Sequence, residues 1–166
     1  GGLGVVVVDQ GINILLNLFF GPLVNAARGI AIQVKSAVGS FVGNFQTAVN
    51  PQIIKSHANQ DYEYSTSLIY NSAKYSFFLL FLISFPIILE SRFVLNIWLK
   101  NVPDYAAVFC QLVLIETCIE ILSGPLITAV QATGKIKKYQ IIISGLKILI
   151  FPICYLGIKL TNTPII

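Results

Sequence analysis

Long apolar runs, separated by short polar interludes, fill almost all of this 166-residue chain. They cover approximately 3–20, 23–49, 67–89, 105–130 and 141–160. A helix needs about 20 apolar residues to cross a hydrocarbon core ~30 Å thick. The pattern therefore predicts an all-α, polytopic membrane helix bundle with about five transmembrane helices. Gly21-Pro22 is expected to stop the first run and Asn50-Pro51 the second, because proline cannot continue the backbone ladder. Residues 52–66 are too polar for lipid, and 90–104 mixes charge with Phe93, Ile97 and Trp98, as a turn at headgroup level does. Pro86 and Pro152 predict kinks or ends in the third and fifth runs.

The second run is less greasy than the others. Asn25, Arg28, Ser36, Ser40, Asn44 and Thr47 recur at three- and four-residue steps, or multiples of them, which marks one polar face of a helix. Gly39 and Gly43 on the same helix form a small-xxx-small pair suited to close backbone approach. In the first run Asp9, Asn13 and Asn17 share a face at four-residue spacing, with Gln10 beside them. Such rows are unstable against lipid and should face protein or a water-filled cavity. Interhelical hydrogen bonding and cavity lining are both open at this point.

Glu116 and Glu120 stand one turn apart near the middle of the fourth run. Two carboxylates at that spacing repel, and a low dielectric favours protonating one of them. The pair suits a proton- or cation-coupling site; an ion pair with Lys147 of the fifth run is the plainer reading.

Composition supports the membrane reading. Hydrophobic residues make up 55% of the chain and charged ones only 11%, against roughly 25% charged in soluble domains. The net charge of +4 sits mainly between apolar runs, which argues for membrane orientation and against nucleic acid as a partner. Lys55, Lys135, Lys137 and Lys138 lie in the 50–67 and 132–140 loops, which the positive-inside rule places in the cytoplasm; the 90–104 loop holds Arg92 and Lys100. There is no Met, and the chain opens close to an apolar run, so a piece of a longer polypeptide is expected. Cys110, Cys118 and Cys154 read as small buried hydrophobes, and His57 as a solvated loop residue. No metal spacing, phosphate loop or nucleophile–base set is present, so neither cofactor, metal site nor enzyme is expected.

The string Gly11-Ile-Asn-Ile-Leu-Leu-Asn-Leu-Phe-Phe-Gly-Pro-Leu-Val-Asn-Ala-Ala-Arg-Gly-Ile-Ala-Ile-Gln-Val34 resembles the opening of the second half of bacterial polysaccharide flippases. Asn50-Pro-Gln-Ile-Ile-Lys-Ser56 and Ala132-Thr-Gly-Lys135 resemble the cytoplasmic ends of the next spans in those proteins. The resemblance, to O-antigen and capsule translocases of the multidrug/oligosaccharidyl-lipid/polysaccharide exporter superfamily, covers essentially the whole chain. It implies a partial C-terminal lobe of a twelve-helix, two-lobe transporter in the bacterial inner membrane, completed by an N-terminal lobe. The implied task is flipping an undecaprenyl-pyrophosphate-linked glycan by alternating access. Under that implication Arg28 and Lys35 would attract phosphate, and Asn13, Asn17, Asn25, Ser40 and Asn44 would bind sugar hydroxyls. A cation-coupled drug antiporter of the same superfamily and a non-transporting membrane subunit are the alternatives.

Overall fold

A computed structural model describes residues 2–134 and 136–161, without the side chains of 2–9, 147, 151, 158, 160 and 161. Seven helices follow in order: α1 (Gly2–Phe20), α2 (Pro22–Ala58), α3 (Tyr62–Leu89), α4 (Ser91–Trp98), α5 (Ala106–Glu120), α6 (Ser123–Ala132) and α7 (Ile136–Thr161). No strand occurs among the described residues.

Among the described residues three helical stretches are long and apolar enough to cross a membrane: Tyr62–Leu89, Ala106–Ala132 and Ile136–Gly157. Within α1, Gln10–Phe20 forms a shorter apolar segment. The 37-residue α2 has ample length, but its polar stripe leaves it less apolar than the other long helices.

The ends of these helices follow from local chemistry. Gly21 has φ 81° and ψ 176°, a region open in practice only to glycine, and Pro22 starts α2 with a φ already set for helix. At the far end of α2, Gln60 takes a positive φ and the Asp61 amide reaches back to the Ser56 carbonyl, a Schellman-type stop. Asp61 then caps α3 by accepting from the Tyr64 amide at 3.2 Å. His57 is half-buried, with its ring edge-on to Tyr62.

Asn50-Pro51 does not end α2, contrary to the sequence expectation: the helix continues to Ala58. Proline inside a helix costs about 3 kcal/mol. Ile53, two residues later, is fully buried, and burying such a side chain contributes roughly 1.5–3 kcal/mol. The loop expected from residue 50 is thus a turn at 59–61. Likewise α7 starts at Ile136, so Lys137 and Lys138 belong to its first turn, while Lys135 lies outside the described residues. Both α3 and α7 run on through Pro86 and Pro152.

α2 is the axis of the packing and touches α1, α3, α5 and α6. Val38 and Val42 of α2 meet Leu80 of α3 and Leu114 and Cys118 of α5 in one buried cluster. A second cluster joins Leu16, Val24, Ala27 and Ala31 to Leu95, Ala106, Phe109 and Cys110. The inward row of α3 is mostly small: Ser72, Ser76 and Ser84 are buried at helical spacing with Leu80 between them, and small residues of this kind let neighbouring helices approach closely. Opposite them, Phe78, Leu82 and Phe85 point outward, as side chains solvated by acyl chains do. α7 packs chiefly on α1, with Phe19 and Tyr155 edge-on at 6.1 Å.

Candidate functional site

α2 and α5 lie side by side, and their common face carries a charged triad. Lys35 Nζ of α2 is 2.8 Å from Glu120 Oε2 and 3.6 Å from Glu116 Oε2 of α5. The one-turn separation of the glutamates aims both at the same ammonium. Lys35 is about 20 Å along α2 from Pro22 at 1.5 Å per residue, so the triad sits far from that helix end.

The triad is not enclosed by the rest of the chain: the side chains of Lys35, Glu116 and Glu120 are 30%, 65% and 58% exposed. One ammonium cannot neutralise two carboxylates, so three ionised groups on this face would carry a net charge into hydrocarbon, where a single charged residue costs about 2.5–3.5 kcal/mol even on insertion scales. Such a face is suited to water or to further protein.

The polar stripe of α2 lies around the helix from the triad: Ser36, Ser40, Asn44 and Thr47 are exposed at positions turned about 100–180° from Lys35 at 3.6 residues per turn. Ser40 donates to the Ala37 carbonyl at 2.7 Å and Thr47 to the Gly43 carbonyl at 2.8 Å, so their hydroxyl oxygens still have room to accept. A Cβ placed on Gly39 or Gly43 would meet nothing within 4 Å. The expected close helix approach at that pair is therefore not made among the described residues; the glycines belong to the same open, small and polar surface.

Toward the start of α2, Arg28 Nη1 donates to Asn13 Oδ1 of α1, joining the polar rows of the two helices. Asn25 is half-buried in the same part of α2, and Asn17 is exposed on α1. The structure thus brings Arg28 to Asn13 and Lys35 to both glutamates, whereas Asn17, Ser40 and Asn44 stand apart on open surface. Lys147 and Asp9 have side chains outside the described residues, so the Glu120–Lys147 pair falls there too.

One polar node escaped the sequence reading. The hydrogen-bond ladder between α5 and α6 is interrupted at Ile121 and Leu122, although both keep right-handed helical dihedrals. Pro125 lacks the amide that would bond the Ile121 carbonyl four residues back. The Gly124 amide reaches that carbonyl at 3.4 Å, and Gln46 of α2 adds a shorter bond: its Nε2 donates to Ile121 O at 3.0 Å and lies 3.1 Å from Ser76 Oγ of α3. Gly124 makes room, since a Cβ there would press against Gln46 Oε1. Next to this node Thr128 Oγ1 of α6 lies 3.1 Å from Asn50 Oδ1. The proline inside an apolar run was the available signal; which residue answers it depends on packing. Gln111 plays a similar part for α3, donating to the Ile88 carbonyl at 3.0 Å.

A separate pocket of about 270 Å³ lies beside α4, lined by Arg92, Asn96, Pro103, Asp104 and Tyr105 among others. Among the described residues no group of three or more His, Cys, Asp or Glu side chains is placed to hold a metal ion. No protein-family model matches the chain, and neither a curated protein sequence nor a solved structure gives a match.

Proposed function

We propose that this chain is part of a membrane transporter in which the polar stripe of α2 and the α2–α5 triad line a hydrated region. The observation that carries the reading is the Lys35–Glu116–Glu120 triad on an exposed face far from the end of α2. The substrate we favour is a lipid-linked oligosaccharide, flipped between leaflets by alternating access. Hydroxyl- and amide-bearing Ser36, Ser40, Asn44 and Thr47 suit sugar hydroxyls, and the polyprenyl tail would stay in lipid. In this reading α1 and α2 also span the bilayer, giving five spans of a two-lobe protein of the polysaccharide-flippase type. The membrane is the bacterial inner membrane, with the 50–67 and 132–140 regions cytoplasmic.

Arg28 and Lys35 both act within the protein, Arg28 on Asn13 and Lys35 on the glutamates. That shifts the emphasis from a cationic phosphate path toward a triad that changes partners during transport. When one glutamate takes a proton or another cation, Lys35 is held by the other alone and α5 is freer to move against α2. The triad's formal charge of −1 also favours a second reading, a cation-coupled antiporter for organic cations.

Complementation separates the two. The complete gene is introduced into a strain that lacks its polysaccharide flippase, and surface polysaccharide is measured. Restoration supports the flippase. A well-expressed protein that restores nothing, yet exports organic cations, moves the assignment to the antiporter; neither activity leaves a membrane subunit without transport.

A further inference from the structure

α4 joins two membrane-crossing segments and divides its eight residues among three directions. Ser91 and Leu95 are buried, and the helix packs on α5 and α3. Phe93 and Ile97, 62% and 72% exposed, form an apolar edge one turn apart. Arg92 and Asn96 form a polar edge, also one turn apart, and Trp98 closes the helix with its ring half-exposed. A helix sorted in this way lies in the plane of the bilayer surface with its apolar edge at the acyl boundary. Tryptophan is favoured at that level.

The polar edge faces the pocket. Arg92 and Asn96 line it together with Pro103, Asp104 and Tyr105 and the apolar Val102, Ala107 and Val108. Arg92 and Asp104 thus present opposite charges to one cavity. They make no ion pair or hydrogen bond with each other among the described residues. Tyr105 has a left-handed backbone (φ 68°), and α5 begins directly after it.

We infer that this pocket seats the headgroup of a zwitterionic aminophospholipid of the bilayer. Arg92 takes the phosphate through its planar fork of donors. Asp104 accepts from the primary ammonium, and Asn96 and Tyr105 offer further polar contacts. Phe93 and Ile97 rest against the first acyl carbons. A phosphatidylglycerol headgroup satisfies Arg92 and leaves Asp104 facing no cation. A phosphatidylcholine headgroup carries the charge but has no N–H to donate. The inference needs the chain to lie in a bilayer and is independent of what it transports.

The test reconstitutes the protein in nanodiscs containing equal parts phosphatidylethanolamine, phosphatidylglycerol and phosphatidylcholine. It is then released into detergent, and native mass spectrometry counts the lipids it retains. The wild type should retain phosphatidylethanolamine in preference to both others, by about threefold to fivefold for charge pairs at an exposed interface. Asp104→Asn should abolish that preference while total phospholipid stays unchanged, and Arg92→Gln should lower retention of all three. Equal or greater retention of phosphatidylglycerol by the wild type would overturn the proposal. So would an Asp104→Asn protein that keeps the preference.

Discussion

The ammonium of Lys35 lies 2.8 Å from Glu120 and 3.6 Å from Glu116, so a single cation of α2 is shared by two carboxylates of α5. Removing it leaves like charges one turn apart with no counterion. Lys35→Met should therefore destabilise the protein by about 1 kcal/mol, the scale of partly exposed pairs, and abolish transport. Adding Glu116→Gln and Glu120→Gln to Lys35→Met should restore stability but not transport. Thermal unfolding in detergent and a transport assay on the wild type and these two variants check both halves. If the triple variant is less stable than Lys35→Met alone, the triad is not an electrostatic unit.

Gly124 and Gln46 occupy one space. Gly124→Ala presses a methyl group against the Gln46 carboxamide, whose flexible end must shift away from Ile121. The expected cost is about 0.5–1.5 kcal/mol, from loss of the shorter of the two bonds to the Ile121 carbonyl, which the Gly124 amide also reaches at 3.4 Å. Gln46→Ala should cost a similar amount, and the double variant far less than the sum, because both remove the same contact. Additive losses in thermal unfolding would contradict the shared role.

Pro125 is the reason for that contact. Pro125→Ala returns an amide to the Ile121 carbonyl and lets the α5–α6 ladder close. In that background Gln46→Ala should lose most of its effect. Equal cost with and without the proline, measured by the same unfolding assay, would show that Gln46 matters through Ser76 instead.

Ser76 is where α3 meets Gln46 of α2. Ser76 is fully buried, so Ser76→Leu forces the helices apart and should cost about 1–3 kcal/mol. Leu82→Ala, at a position 73% exposed on the opposite side, should change stability by less than about 0.5 kcal/mol. Comparable losses at the two positions would mean that the assigned lipid face is packed.

Much of the architecture can be read from residue order. Apolar run length announces the helices, and Gly21-Pro22 marks a break for reasons internal to two residues. Asn50-Pro51 carries the same punctuation and fails as a stop, because burial of Ile53 offsets the lost hydrogen bond, and burial is a tertiary quantity. Similarly, four-residue spacing places Glu116 and Glu120 on one face but says nothing of which neighbouring helix faces them. Lys35 was legible as a polar residue of α2, not as their partner. Gln46 gave no signal of its own, since only the placement of Pro125 against α2 gives its amide a task.

Aqueous access to α2 tests the account most directly. Cys110, Cys118 and Cys154 are replaced by Ala, and single cysteines are introduced as Ser40→Cys, Asn44→Cys and, on the apolar side of α3, Leu82→Cys. A membrane-impermeant maleimide is then applied to the protein in its native membrane, from each side in turn. A hydrated cavity predicts labelling of Ser40→Cys and Asn44→Cys and none of Leu82→Cys. Ser40 and Asn44 variants as protected as the Leu82 variant would mean that the polar stripe of α2 is sealed by lipid or packed protein, and the cavity reading would fall.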